Sequence, residues 1–336
     1  MKKPQRKTRL GFIGVGWIGL NRLKAVSDSG MAEICQICEP SEINAKAALQ
    51  ACTNGARIRS EDEIINDPEI DGVVIATPSA LHARQAINAL EAGKAVFCQK
   101  PLGCTSTDVQ KILDAAKDHD KLLEVDFSYR HCQAFRYLMD TVKSGNLGEI
   151  FAVDLVFHNA YGPDKNWYYD TGLSGGGCVM DLGIHLLDMA FHCLSFPEII
   201  DVQSDLFHQG RRLAKNKAHN QPEDYAHVCL QSPGTSFNLQ CSWNLHAGKD
   251  AIIKAVFYGT KGGAAFKNSG GSFYEFRAEK YEGTKSRYID TPDDDWGGRA
   301  GIKWLQKLHE GRGYDPQVSK EILSITKTID RIYGRG

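Results

Sequence analysis

In GGGCVMDLGIHLLDMAFHCL, residues 175–194, side chains able to handle protons or metal recur at Asp181, His185, Asp188 and His192. At about 100° per residue, helical geometry puts all four on one narrow stripe. Leu182, Leu186, Met189 and Cys193 flank it on one side, and Ile184, Leu187, Phe191 and Leu194 on the other. A helix apolar nearly all round is buried, and buried charges need partners. The stripe is therefore a metal site, an acid/base site or a hydrogen-bonded piece of core. Cys178 could join a metal set, but the stripe runs about 16 Å at about 1.5 Å per residue, too long for one ion. The chain has no HExxH and no paired-cysteine cluster, so no metal is expected. Asp188 and His192 read as core network. Asp181 and His185 lie nearest Gly175–Gly177, where bare backbone is expected to leave room for a ligand.

A second group of chemistry-bearing residues stands earlier. Gly14, Gly16 and Gly19 form GxGxxG around Trp17 and Ile18, directly after the strand-like TRLGFIG and at the head of the helix-like WIGLNRLKAVSDSG. Glu39 ends the next strand pattern, 20 residues beyond the last glycine. That context is the one a dinucleotide fingerprint requires. The glycines let backbone approach a pyrophosphate at the helix N-terminus. Glu39 can accept from both adenosine ribose hydroxyls, and its charge would repel a 2′-phosphate. Ser41 and Glu42 follow with no arginine beside them, so NAD is favoured over NADP. Thr77-Pro78 and Lys100-Pro101 each follow a strand pattern. Ligands of open parallel sheets bind beyond the carboxyl ends of the strands, so Lys100 is placed to reach the cofactor's reactive end. Thr77, Pro78, His82 and Gln99 belong to the same cofactor-binding set.

The elements that must position these residues follow from periodicity. Residues 8–126 alternate near-continuously apolar strands with helices that end at glycine, which implies a parallel sheet covered on both faces. From about residue 132 a helix leads into strand patterns separated by turn residues, which argues a largely antiparallel sheet. HNQPEDY and DTPDDDWGG read as polar loops. The segment from about 317 to 332 is an amphipathic helix with Val318, Ile322, Ile325, Ile329 and Ile332 on one side. The fold class is α/β: a Rossmann domain over 1–127, a domain with an open, mainly antiparallel sheet over 128–316, and a C-terminal helix, 317–336, packing back on the rest.

Composition excludes several classes. The chain's 336 residues carry 40 basic and 41 acidic side chains with no long run of one sign, so neither a nucleic-acid groove nor a membrane surface is expected. MKKPQRK before LGFIGVGWIGL has the outline of a signal peptide, but four glycines interrupt the apolar stretch. The expected location is the cytoplasm. Cys35 and Cys38 form a CxxC in a strand pattern, where residues three apart point to opposite faces.

With these motifs in order, the chain resembles the Gfo/Idh/MocA oxidoreductases, the family of glucose-fructose oxidoreductase and inositol dehydrogenase. The glycine loop, ATPSALH, AGKAVFCQKP, Tyr129-Arg130, SGNLGE, SGGGCVMDLGIHLLD and FYGTKGG all have counterparts, covering nearly the whole chain. The resemblance implies an active site between Lys100 and the helix holding Asp181 and His185, and a homodimer or homotetramer formed through the C-terminal sheet. It implies a dehydrogenase acting on a ring hydroxyl of a sugar, glycoside or cyclic polyol. His185 would take the hydroxyl proton, Asp181 would orient the imidazole or join a relay, and Lys100 would stabilise the developing alkoxide. Arg130 matches a family position near the substrate. In FHNAYGPDKNWYYD, Asn159, Tyr161, Lys165 and Trp167 could bind hydroxyls or stack on a sugar face, and His246 could reach the same cleft. One departure stands out: the family's Glu-Lys-Pro is Gln99-Lys100-Pro101 here. The alternatives are a non-catalytic NAD-binding sensor of the same fold and a redox-neutral epimerase or eliminase.

Overall fold

The computed structural model describes residues 6–52, 55–214, 221–289, 291 and 297–335. The start of HNQPEDY and most of DTPDDDWGG lie outside them. The chain divides into two compact units, one of Met1–Ser128 with Gly297–Ile322, the other of Tyr129–Trp296 with Leu323–Gly336.

In the first unit, β1 (Thr8–Ile13), β2 (Ala32–Cys38), β3 (Arg57–Ile58), β4 (Gly72–Ile75), β5 (Ala95–Cys98) and β6 (Leu123–Val125) form a sheet ordered β3-β2-β1-β4-β5-β6. Every pairing in it is parallel, the order and sense of a dinucleotide-binding sheet. All residues of β4 and β5 are buried, as strands covered on both faces must be. Local chemistry sets the helix ends: Ser41, Ser60 and Thr105 accept the first-turn N–H groups of Asn44, Glu63 and Asp108. Gly30 closes Trp17–Ser29 at φ 63°. A helix that periodicity did not reveal, Gly298–His309, adds Trp304 and Leu305 to this core. The Trp304 ring lies 5.7 Å from that of Phe97, and a Cβ on Gly72 would come within 3.0 Å of it.

The second unit carries β7 (Ile150–Asn159), β8 (Asp201–His208), β9 (Arg211–Arg212), β10 (Tyr225–Ser232), β11 (Thr235–Ser242), β12 (Ala251–Gly259), β13 (Gly262–Asn268), β14 (Phe276–Glu282) and β15 (Lys285–Ile289). Their order is β15-β14-β13-β12-β7-β11-β10-β8-β9. Only β7 with β11 is parallel, so the sheet is mixed and largely antiparallel. Helices Gln133–Lys143 and Ile184–Cys193 pack against it.

The stretch expected as one helix from the glycines onward is divided. Thr171–Ser174 makes a single turn and Gly175 turns left-handed at φ 81°. Val179–Gly183 forms a π-helical turn in which the Ile184 N–H reaches the Val179 carbonyl, five residues back. The α-helix proper is Ile184–Cys193. The regular 100° spacing therefore fails between Asp181 and His185. Among the described residues no helix is long and apolar enough to cross a membrane, and none of the ten cysteines is in a disulfide.

Candidate active site

The three glycines of the first loop have different tasks. Gly14 sits at φ 85°, and a Cβ there would lie 2.6 Å from the Ala76 carbonyl oxygen. A Cβ on Gly19 would lie 2.3 Å from the Gly14 oxygen. These two let the loop close on β4. Gly16 is the exception, because a Cβ there meets nothing within 4 Å. It heads the helix Trp17–Ser29 without a side-chain cap, which leaves first-turn N–H groups for an anion to accept from. Trp17 is exposed and Ile18 half-buried beside this opening. Glu39 braces the loop: its Oε2 accepts from Val15 N at 2.8 Å and its Oε1 from Ser41 N at 3.0 Å. A carboxylate has about four acceptor positions, so ribose hydroxyls still find lone pairs. The cradle fits a dinucleotide.

Two turns follow β4 and β5 on the same sheet. Thr77 Oγ1 donates to Gln85 Oε1 at 2.6 Å, and Gln85 donates onward to Glu61. Pro78 starts the helix Ser79–Glu91. His82 is buried with Nδ1 2.7 Å from the Pro101 carbonyl and Nε2 2.8 Å from the Thr77 carbonyl. Its ring ties the two turns together. Burial holds its pKa below the ordinary histidine value, with Lys100's charge adding to that effect. Half-buried Lys100 donates its backbone N–H to Gln99 Oε1 at 3.1 Å. Gln99 is buried, and its Nε2 donates to Asp126 Oδ2 at 2.6 Å.

In the second unit Asp181 lies in the π-helical turn, where its Oδ2 accepts from the indole N–H of buried Trp243 at 3.0 Å. Aromatic rings gather here. Trp167 stacks on Tyr168 at 3.8 Å, and Tyr168 and Tyr169 meet Trp243 edge-on at 6.3 and 5.9 Å. Burial, and then the Asp181 carboxylate, hold the Tyr168 hydroxyl far above the ordinary tyrosine range. His185 is buried with its ring edge-on to Tyr129 at 5.0 Å. Arg130 donates to Asp188 through Nε (2.9 and 3.1 Å) and Nη2 (2.6 Å). His192 lies near that pair, and burial, then the Arg130 charge, pushes its pKa down to about 3.

Of the other candidates, Asn159 ends β7, Tyr161 and Lys165 lie on the loop after it, and His246 follows β11. Asn159 Oδ1 accepts from Tyr161 N at 2.8 Å, the Tyr161 hydroxyl donates to Asp250 at 2.5 Å, and exposed Lys165 pairs with Asp164 at 2.8 Å. His246 is exposed. Among the described residues no group of three or more His, Cys, Asp or Glu side chains could hold a metal ion.

One expectation is overturned. The bare backbone at Gly176 and Gly177 does not leave room for a ligand, because the protein itself fills it. A Cβ on Gly176 would lie 2.1 Å from the Tyr333 hydroxyl, and one on Gly177 2.0 Å from the Glu223 carbonyl oxygen. The buried Glu223 carboxylate accepts from Gly177 N at 3.0 Å, Val179 N at 2.9 Å and the Tyr333 hydroxyl at 2.8 Å. Burial still pushes its pKa up. Glu223, Tyr333, Trp243, Tyr168 and Asp126 are the residues that sequence reasoning missed. A tryptophan that must bury an N–H, in CSWNLH, is the one signal that pointed toward any of them.

Comparison with known proteins agrees with this layout. Residues 8–127 match the model of the GFO/IDH/MocA oxidoreductase family's NAD-binding Rossmann fold, and 135–265 match the GFO/IDH/MocA C-terminal domain. The rhizopine catabolism protein MocA of Rhizobium meliloti is 30% identical over 181 residues, 54% of this chain and 55% of that protein. D-glucoside 3-dehydrogenase of Escherichia coli K12 is 26% identical over 244 residues, 69% of each chain. The chain thus spans about half the length of the first relatives it matches. Among solved structures, levoglucosan dehydrogenase with NADH and levoglucosan superimposes with a TM-score of 0.81 at 22% identity, covering 98% of both chains. A 3-ketoreductase of Actinomadura kijaniata with NADP and TDP-benzene gives 0.82 at 19% identity, covering 97% of both.

Proposed function

The chain belongs to the Gfo/Idh/MocA oxidoreductase family, and from that premise we propose that it is a dehydrogenase transferring a hydride between NAD and a ring carbinol of a sugar, glycoside or cyclic polyol. The observation that carries this reading is the pairing of a dinucleotide cradle with Lys100 on one sheet: the cradle follows β1, and Lys100 follows the neighbouring strand but one, β5. A bound nicotinamide supplies the hydride acceptor. Lys100 Nζ stabilises the developing alkoxide, His185 takes the hydroxyl proton, and Asp181, held by the Trp243 N–H, is assigned to orient that base or relay its proton. Trp167, braced by its stack on Tyr168, is assigned to the face of a sugar ring. Asn159, Tyr161, Lys165 and Arg130 are assigned to its hydroxyls, with Arg130's orientation fixed by Asp188. Glu39 selects NAD, since a 2′-phosphate would face a carboxylate already gripping the glycine loop.

We read the protein as a cytoplasmic homo-oligomer. Ten cysteines outside any disulfide suit a reducing compartment, and exposed Tyr258 and Tyr288 stand on the nine-stranded sheet available for self-association. Light scattering on the purified chain tests that assembly.

NAD(H) turnover against sugars, glycosides and inositols tests the function. Lys100→Met and His185→Gln should each lower the rate roughly 10²- to 10⁴-fold on the best substrate. Near-native turnover by both variants sinks the assignment. Cofactor binding without turnover across the panel would instead favour a sensor, and turnover without release of free NADH a redox-neutral reaction.

A further inference from the structure

Behind the lysine turn of the first unit lies a buried charge network that the reaction above does not use. Asp126, fully buried just past β6, accepts at one oxygen from two donors: Arg22 Nε at 2.5 Å and Gln99 Nε2 at 2.6 Å. Its other oxygen, Oδ1, is buried with no hydrogen-bond partner among the described residues. Arg22 is itself 2% exposed and stands on the helix that begins at the glycine loop. Gln99 turns its remaining polar atom back on the chain and accepts the Lys100 N–H at 3.1 Å. An unbroken set of hydrogen bonds thus runs from the cofactor helix through Arg22, Asp126 and Gln99 to the backbone of Lys100.

We propose that Asp126 is the positioning carboxylate of the lysine turn, and that residue 99 must be an uncharged donor because Asp126 already holds the negative charge there. The departure from Glu-Lys-Pro is then a relocation of charge and not a loss of it. The inference rests on the assignment of Lys100 given above. Restoring a glutamate at position 99 should then harm this enzyme. It would set one carboxylate against another at about the 2.6 Å now bridged by an amide donor. Two such groups cannot both ionise, so the pair would have to keep a proton. A protonated glutamate side chain there could still donate to Asp126; an ionised one could not.

The test compares native protein, Gln99→Glu, Gln99→Glu/Asp126→Asn and Lys100→Met in NAD-linked oxidation of the best substrate from the panel, across roughly pH 6 to 9. Q99E should lose about tenfold or more in kcat/KM at neutral pH, and its rate relative to native should fall further as pH rises. The double variant, with the carboxylate at 99 and a neutral amide at 126, should recover at least about threefold over Q99E with a flat ratio to native. A Q99E protein as active as native at every pH overturns the proposal. So does a double variant no faster than Q99E, whether it misfolds or folds and stays slow. An inactive K100M beside a native-like Q99E removes this inference alone, whereas an active K100M removes it together with the role given to Lys100.

Discussion

The indole N–H of Trp243 donates to Asp181 Oδ2 at 3.0 Å, and this bond fixes where the carboxylate stands in the π-helical turn. Charge-assisted bonds of this kind hold an orientation more firmly than neutral ones. Trp243→Phe keeps most of the ring packing with Tyr168 and Tyr169 and removes only the donor. It should lower kcat/KM by about tenfold, on the order of 1–2 kcal/mol, with little change in KM for NAD. If Asp181 acts through this geometry, Trp243→Phe and Asp181→Asn combined should cost less than the sum of the two. Strict additivity would detach Trp243 from the reaction.

The proposed preference for NAD turns on Glu39. Its carboxylate is anchored by the Val15 and Ser41 N–H groups, so it cannot swing away from a 2′-phosphate without opening the glycine loop. NAD should be preferred over NADP by about 10²-fold or more in kcat/KM at low ionic strength. Glu39→Gln keeps an acceptor for one N–H and removes the charge, so it should narrow that ratio by about tenfold while raising KM for NAD only a few-fold. Equal use of both cofactors by the native protein would contradict the reading.

The parts of this design that were legible in the sequence are those set by near neighbours. Gly14, Gly16 and Gly19 are read against one strand and one helix, and Glu39 against the next strand. The alternation of apolar strands with helices then leads to the parallel sheet directly. The unread parts are long-range pairings that leave no local pattern. Asp126 is 27 residues from Gln99, Trp243 is 62 from Asp181, and Tyr333 is 110 from Glu223. The π-helical turn escapes periodicity for the same reason: the carboxylate that meets the N–H groups at its start arrives from Glu223. Gly176 and Gly177 look like open backbone in the sequence because glycine is silent about whether solvent, ligand or protein occupies the space it leaves.

Glu223 and Tyr333 tie the end of the last helix, Pro316–Tyr333, to the start of the segment carrying Asp181. Arg335 adds a bond to the Gly175 carbonyl at 2.7 Å. Tyr333→Phe leaves a buried carboxylate short of one donor and should lower the unfolding free energy by about 1–3 kcal/mol in urea titrations. A chain ending at Ile332 loses both the hydroxyl and Arg335. Because the cofactor cradle is built in the other unit, that truncation should depress kcat while leaving NADH affinity, read by fluorescence titration, nearly unchanged. A truncated protein with native kcat would show that the C-terminus does not set the Asp181 turn.

The last prediction concerns pH and His192. Its ring packs edge-on to Phe196 at 6.0 Å, and its Nδ1 is buried without a hydrogen-bond partner among the described residues. Burial first, then the charges of Arg130, Lys143 and His131, hold its pKa at about 3, against an ordinary value of 6.5. The folded-state value is depressed, so between those two pH values the unfolded chain binds a proton that the native protein does not. Stability therefore rises with pH across that window and is lost as pH falls below 6.5. With solvent screening of the half-buried ring allowed for, the cost at about pH 5 is roughly 1–2 kcal/mol from this one side chain. Replacing it by an apolar ring removes the titration and an unmet polar atom together. His192→Phe should therefore match native stability at about pH 8 and exceed it at about pH 5, a divergence visible in paired urea midpoints. Equal acid sensitivity in the two proteins would mean that the native fold accommodates the protonated ring beside Arg130.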